Sequence, residues 1–130
     1  MKSWLMRSAG VAAVLFLMTG IFTNRALAHH ARSGYDLSKT LTLKGTITKV
    51  EWSNPHALIY FDVKDASGRT QNWHSITGGP SRMSRYGWTQ DTLKPGDTIT
   101  ITGNPTKEGT NEVWLDKILL PNGQQVVMHR

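Results

Sequence analysis

Residues 41–52 read Leu-Thr-Leu-Lys-Gly-Thr-Ile-Thr-Lys-Val-Glu-Trp, and their apolar positions change step partway along. Leu41, Leu43 and Ile47 are odd, whereas Val50 and Trp52 are even. Successive side chains of a strand point to opposite faces, so a parity change with one face kept buried requires a bulge or a sharp bend. A strand bent in this way suits a sheet that curls into a barrel.

The rest of the chain reads as further short strands. Ser53-Asn54-Pro55-His56 breaks the first one. Ala57–Lys64 is the expected second strand, with Ile59, Phe61 and Val63 inward, and Asp65-Ala66-Ser67-Gly68 is a hairpin turn. Thr70–Ile76 returns as the third strand, carrying Trp73 as its large apolar residue. Pro80, after Gly78-Gly79, is placed to open a short helix running to Tyr86, which Gly87 stops. Residues 88–93 are irregular. Lys94-Pro95-Gly96-Asp97 turns into a fourth strand, Thr98–Thr102, and residues 107–111 turn into a fifth, Val113–Leu120. Gln124–His129 adds a possible sixth after Pro121-Asn122-Gly123. The fold class expected is all-β: a small OB-like barrel of five to six strands, with one short helix between strands 3 and 4. A small sandwich is the alternative. There are no internal repeats and no low-complexity segment.

The start of the chain is of a different kind. Lys2 and Arg7 precede an apolar run from Ala9 to Phe22, too short to cross a bilayer as a helix, and Ala26-Leu27-Ala28 offers small residues at the −3 and −1 positions of a cleavage site. The expected organisation is a signal peptide over residues 1–28, an extended N-terminal arm over 29–40, and the barrel over 41–130. Cutting after Ala28 exports the chain to the periplasm and makes His29 the new terminus, with His30 beside it. No cysteine is present, so there is no acceptor for a lipid anchor and no thiol nucleophile. The net charge of +6 shrinks to +3 once Lys2, Arg7 and Arg25 are removed, which is weak support for a nucleic-acid partner.

Hairpin register brings candidate functional residues together. If Ile59, Phe61, Val63 and Trp73 point inward, Tyr60 pairs with His74, and Tyr60, Asp62, Asn72 and His74 share one outer patch. In OB folds the face of strands two and three is the usual ligand platform, flanked by the loops after strands one and four. The expected ligand-binding set is therefore Trp52, Asn54, His56, Tyr60, Asn72 and His74. The plainer reading is a solvated strand face.

A terminal histidine carries an amine and an imidazole within chelating reach, and copper and zinc accept such donors. His29 and His30 with His56 form the candidate metal set, with copper or zinc as the possible cofactor. His56 and His74 are expected to lie about 13 Å apart at roughly 3.3 Å per residue, too far to share an ion. His56 otherwise serves to fix the Asn54-Pro55 turn. No catalytic residues stand out. The serines lack a Gly-x-Ser-x-Gly context, Gly78-Gly79-Pro80 is not a phosphate loop, and Asp62 next to His74 has no residue to activate.

The string Gly45-Thr46-Ile47-Thr48-Lys49-Val50-Glu51-Trp52-x-Asn54-Pro55-His56, behind His29-His30 after an Ala-x-Ala cut, resembles a family of small exported bacterial proteins of unknown function. Gly87-Trp88-Thr89, Leu93-Lys94-Pro95-Gly96-Asp97 and Thr102-Gly103-x-Pro105 match the same pattern over nearly all of the mature chain. Glu108-Gly109-Thr110 departs from it, standing where an Asp-Gly-Ser type of turn is expected. The resemblance implies an exported OB-like domain and brings no activity with it. The function expected is a non-enzymatic periplasmic binding module that recognises a small ligand or a partner protein. It would have no nucleic-acid partner and no stable membrane insertion after cleavage. The alternative is a copper- or zinc-binding protein using His29, His30 and His56.

Overall fold

The bend in the first strand organises the molecule. A computed structural model describes residues 32–128. The expected leader, its cleavage site, His29, His30 and His129 lie outside the described residues. Strand β1 (Leu41–Glu51) is shared between two partners. Its first half pairs with β4 (Thr98–Pro105), from Leu41 opposite Gly103 to Thr46 opposite Thr98. Its second half pairs with β2 (Leu58–Lys64), and the register slips between Ile47 and Lys49. The slip falls between Ile47 and Val50, where the apolar parity changes, so the bulge keeps Ile47 buried while turning the strand.

β2 and β3 (Thr70–Ile76) form the expected hairpin, with Tyr60 opposite His74 and Phe61 opposite Trp73. The Asp65 carboxylate organises its turn by accepting from the Ser67 amide at 2.8 Å, the Ser67 hydroxyl at 2.6 Å and the Arg69 amide at 3.1 Å. Gly68, at φ +83°, supplies the left-handed residue.

Helix α1 (Pro80–Ser84) begins at the proline but ends two residues before Tyr86. Arg85, Tyr86 and Gly87 donate to carbonyls three residues back, which tightens the end into turns. The helix drops Met83 into the core, and the irregular stretch behind it adds Trp88 and Leu93. Trp73, expected as core, is only partly buried; Trp88, 4% exposed, is the tryptophan that the core encloses.

β4 runs three residues beyond the expected Thr102, through a second register slip at Thr102/Gly103. β5 (Glu112–Leu119) pairs with β4 and, through its first three residues, in parallel with β3: His74 opposite Glu112, Ser75 opposite Val113, Ile76 opposite Trp114. That parallel pairing closes a five-stranded barrel. β6 (Gln125–Val127) extends the sheet from the other half of β5. The fold is all-β and OB-like, a closed barrel with one extra strand and one short helix between β3 and β4. The closure removes the sandwich alternative.

The barrel belongs to the unit that begins at Gly34. Ahead of β1, Tyr35 is 5% exposed and forms an isolated bridge with Thr106. The Asp36 amide donates to the Pro105 carbonyl at 2.8 Å, the Lys107 amide to the Gly34 carbonyl at 2.9 Å, and the Asn104 side chain to the Lys39 carbonyl at 2.8 Å. The segment 34–39 is thereby tied to the end of β4 and to the loop that follows it. Among the described residues no helix is long and apolar enough to cross a membrane.

Candidate functional site

Residues paired across a ladder share a face, so the registers assign the outer surface of β1, β2, β3 and β5 row by row. One row is Thr46, Asp62 and Asn72. The next is Lys49, Tyr60, His74 and Glu112. The third is Glu51, Leu58, Ile76 and Trp114. An acidic and amide row, a mixed aromatic row and a largely apolar row thus lie side by side on the surface where OB folds hold ligands.

The middle row is held in place by its own contacts. His74 Nε2 lies 2.9 Å from Glu112 Oε2, and the Tyr60 and His74 rings are tilted against each other with centroids 5.7 Å apart. The Lys49 ammonium lies 5.3 Å from the Tyr60 ring centroid and bonds Glu51 at 2.5 Å, a contact that holds its pKa above the usual lysine range. In the neighbouring row the Asn72 amide donates to Asp62. Asp62 is therefore engaged by Asn72 and does not orient His74; Glu112 takes that place.

Glu112 joins two distant parts of the chain. Its Oε1 accepts the hydroxyl of Tyr35 while Oε2 faces His74. Burial, and then the hydrogen bond and charge of Glu112, push the Tyr35 hydroxyl well above the ordinary phenol range. The Tyr35 ring meets Trp114 edge-on at 5.4 Å, and His56 meets the same indole at 5.6 Å and 74°. Trp114 thus links Tyr35 to the loop after β1.

His56 occupies that loop as expected, and its ring bonds to a residue outside the Asn54-Pro55 turn. Its Nδ1 lies 2.8 Å from the Thr77 carbonyl. A carbonyl only accepts, so Nδ1 carries the proton, and Nε2 keeps its lone pair in the neutral ring. The Ser53 hydroxyl donates to the His56 carbonyl at 3.3 Å. Trp52 packs against the core as a partly buried side chain, and Asn54 is exposed, with its side-chain oxygen against Gly79.

Of the residues expected to bind ligand, the structure brings Tyr60, Asn72 and His74 onto one outer face. It sets His56 at the end of that face through Trp114. Among the described residues no three His, Asp or Glu side chains are grouped to hold a metal ion. Sequence reasoning missed Glu112, Tyr35 and Trp114 as members of the site. Their signal lies in the β3–β5 closure, which an OB assignment implies but whose register the sequence does not state.

No curated protein matches the chain. Among solved structures it is similar in fold to the mitochondrial single-stranded DNA binding protein Rim1 of S. cerevisiae, with 8% identity and a TM-score of 0.49 over 63% of this chain and 92% of that one. The N-terminal domain of PriB from Thermoanaerobacter tencongensis is similar at 18% identity and a TM-score of 0.45, over 72% and 99% of the two chains. A ZRD-deleted mutant of TiaS in complex with agmatine matches at 18% identity and a TM-score of 0.48 over 65% of this chain, which spans only 22% of the TiaS chain. Residues 18–114 match the model of a family of unknown function, DUF6152, and the chain belongs to that family.

Proposed function

We propose that the protein is an exported, non-enzymatic binding module that recognises a small ligand or a partner protein over Tyr60, Asn72 and His74, with the Trp52–His56 loop at one end. The observation that carries this reading is the ordered middle row. Tyr60, His74 and Glu112 are oriented by one another and by Tyr35 before any ligand arrives. Preorganised polar and aromatic groups on an exposed sheet face reduce the ordering cost of binding. Export rests on the leader pattern of residues 1–28.

Intact-mass measurement of the chain recovered under native conditions from its host tests the proposal. The expected result is a chain starting at His29, found in the periplasm, with a small molecule or protein attached and released by Tyr60→Ala. Recovery from the cytoplasm, or attachment unaffected by changes at Tyr60 and His74, overturns it.

The alternative, a copper or zinc site using His29, His30 and His56, draws support from the His56 hydrogen bond. A metal-binding imidazole characteristically donates its other ring N–H to a carbonyl, which leaves the second nitrogen as donor to the ion. Copper affinity that survives extension of the mature terminus by one residue, or loss of His56, removes this reading.

A further inference from the structure

Building on the reading of this face as a binding surface, we infer that its ligand is a glycan: a neutral, polyhydroxylated chain with one apolar side, lying across the strands. The charge arrangement selects it. The three rows carry the carboxylates of Glu51, Asp62 and Glu112, the first beside the Lys49 ammonium and the last beside His74, and the next row of the same face adds the ammonium of Lys64 opposite Thr70. A phosphodiester chain or other polyanion would lie against three carboxylates, with Lys49 already committed to Glu51 at 2.5 Å. A polycation would place its charge on the Tyr60 ring, which already has an ammonium 5.3 Å from its centroid. A highly charged chain of either sign laid across these rows therefore meets at least one like charge.

Capture of a peptide by strand addition is excluded on different grounds. Adding a strand requires a free sheet edge, and β2, at the middle of this face, is paired on both sides by β1 and β3.

A glycan meets both demands of the surface. Its hydroxyls donate as well as accept, and the face offers carboxylate oxygens, those of Asp62 engaged by an amide and not by a cation. An ionised carboxylate has about four lone-pair sites. Glu112 uses two, for Tyr35 and His74, and Asp62 uses one, for Asn72. The remaining sites sit on planar groups already fixed in place. Beside them the half-buried Tyr60, Leu58, Ile76 and Trp114, the last with Tyr35 and His56 against its indole, add apolar and aromatic surface for the carbon–hydrogen side of a sugar ring. Strands stand about 4.8 Å apart, so the row from Lys49 to Glu112 crosses about 14 Å, the span of a short oligosaccharide and not of a single sugar.

The test is an NMR titration of the mature chain with neutral hexasaccharides built from glucose, mannose or N-acetylglucosamine, alongside oligothymidylate and spermine. The expected result is that at least one hexasaccharide shifts the resonances of Tyr60, Asn72 and His74. Its affinity should change by less than about twofold between about 50 and 500 mM salt, because no counterions are released. Tyr60→Ala and Asp62→Ala should each lower that affinity about tenfold, equivalent to one stacking or hydrogen-bond contact, with dispersion of the core methyl signals reporting an intact fold. Shifts produced at this face by oligothymidylate or spermine and by no hexasaccharide overturn the inference and leave the binding surface standing. Hexasaccharide shifts confined to another face overturn both. Silence from every probe overturns the inference, while the native-mass measurement decides separately whether the face binds anything.

Discussion

Gly103 in β4 lies against the backbone of Trp114 in β5 so closely that a Cβ added to the glycine would stand 2.0 Å from the tryptophan carbonyl oxygen. The contact falls at the second register slip, where β4 bends to bring β5 against β3. Gly103→Ala should therefore force the two strands apart and destabilise the fold by about 3 kcal/mol. Gly34→Ala, with nothing within 4 Å, should change stability by less than about 0.5 kcal/mol. Chemical denaturation of the two variants checks the contrast, and equal midpoints would remove the steric role of Gly103.

Tyr35 gives the protein a dependence on alkaline pH. Its hydroxyl is held above the ordinary phenol range in the folded chain, by burial first and then by Glu112. As pH rises past about 10, the unfolded chain gives up this proton while the folded chain retains it. The unfolded state then binds fewer protons, so the stability contributed by Tyr35 is complete below that pH and declines above it. Tyr35→Phe should lose about 1–2 kcal/mol at neutral pH through the missing bond to Glu112. It should also show a shallower fall in stability between about pH 10 and 12 than the parent. Parallel slopes for the two proteins would contradict this account.

The tryptophans should rank by enclosure. Trp88→Ala removes a ring that is 4% exposed and packed in the core, and should cost about 3–5 kcal/mol. Trp73, partly buried opposite Phe61, should cost less when truncated in the same way. Urea denaturation of both variants orders them, and a Trp73→Ala cost equal to that of Trp88→Ala would place Trp73 in the core after all.

His56 can be read through its single side-chain hydrogen bond. His56→Ala leaves the Thr77 carbonyl without its partner and should cost about 1 kcal/mol in the absence of metal. If the copper or zinc reading holds, the rise in melting temperature on adding Cu(II) to the mature chain should vanish in this variant. A shift of the same size in both proteins would confine His56 to the loop.

What the sequence discloses depends on how far apart the partners are along the chain. The hairpin of β2 and β3 is joined by five residues, and its alternation fixes Tyr60 opposite His74. The bulge in β1 shows as a parity change because both of its partners sit on the same buried face. Glu112 and Tyr35 were hidden for the opposite reason. Glu112 reaches His74 across 38 positions and Tyr35 across 77, through a parallel closure whose register leaves no local pattern. Trp88 was equally hard to place, since an irregular segment has no periodicity to show which side faces inward.

The sharing of Glu112 between Tyr35 and His74 also sets when the surface comes into being. A ribosome delivers Tyr35 early and Glu112 late, so a nascent or truncated chain ending before residue 112 has neither the clasp nor the finished row. Under the proposed function, binding therefore depends on barrel closure, and fragments that retain the whole β2–β3 hairpin but end before residue 112 should be inert.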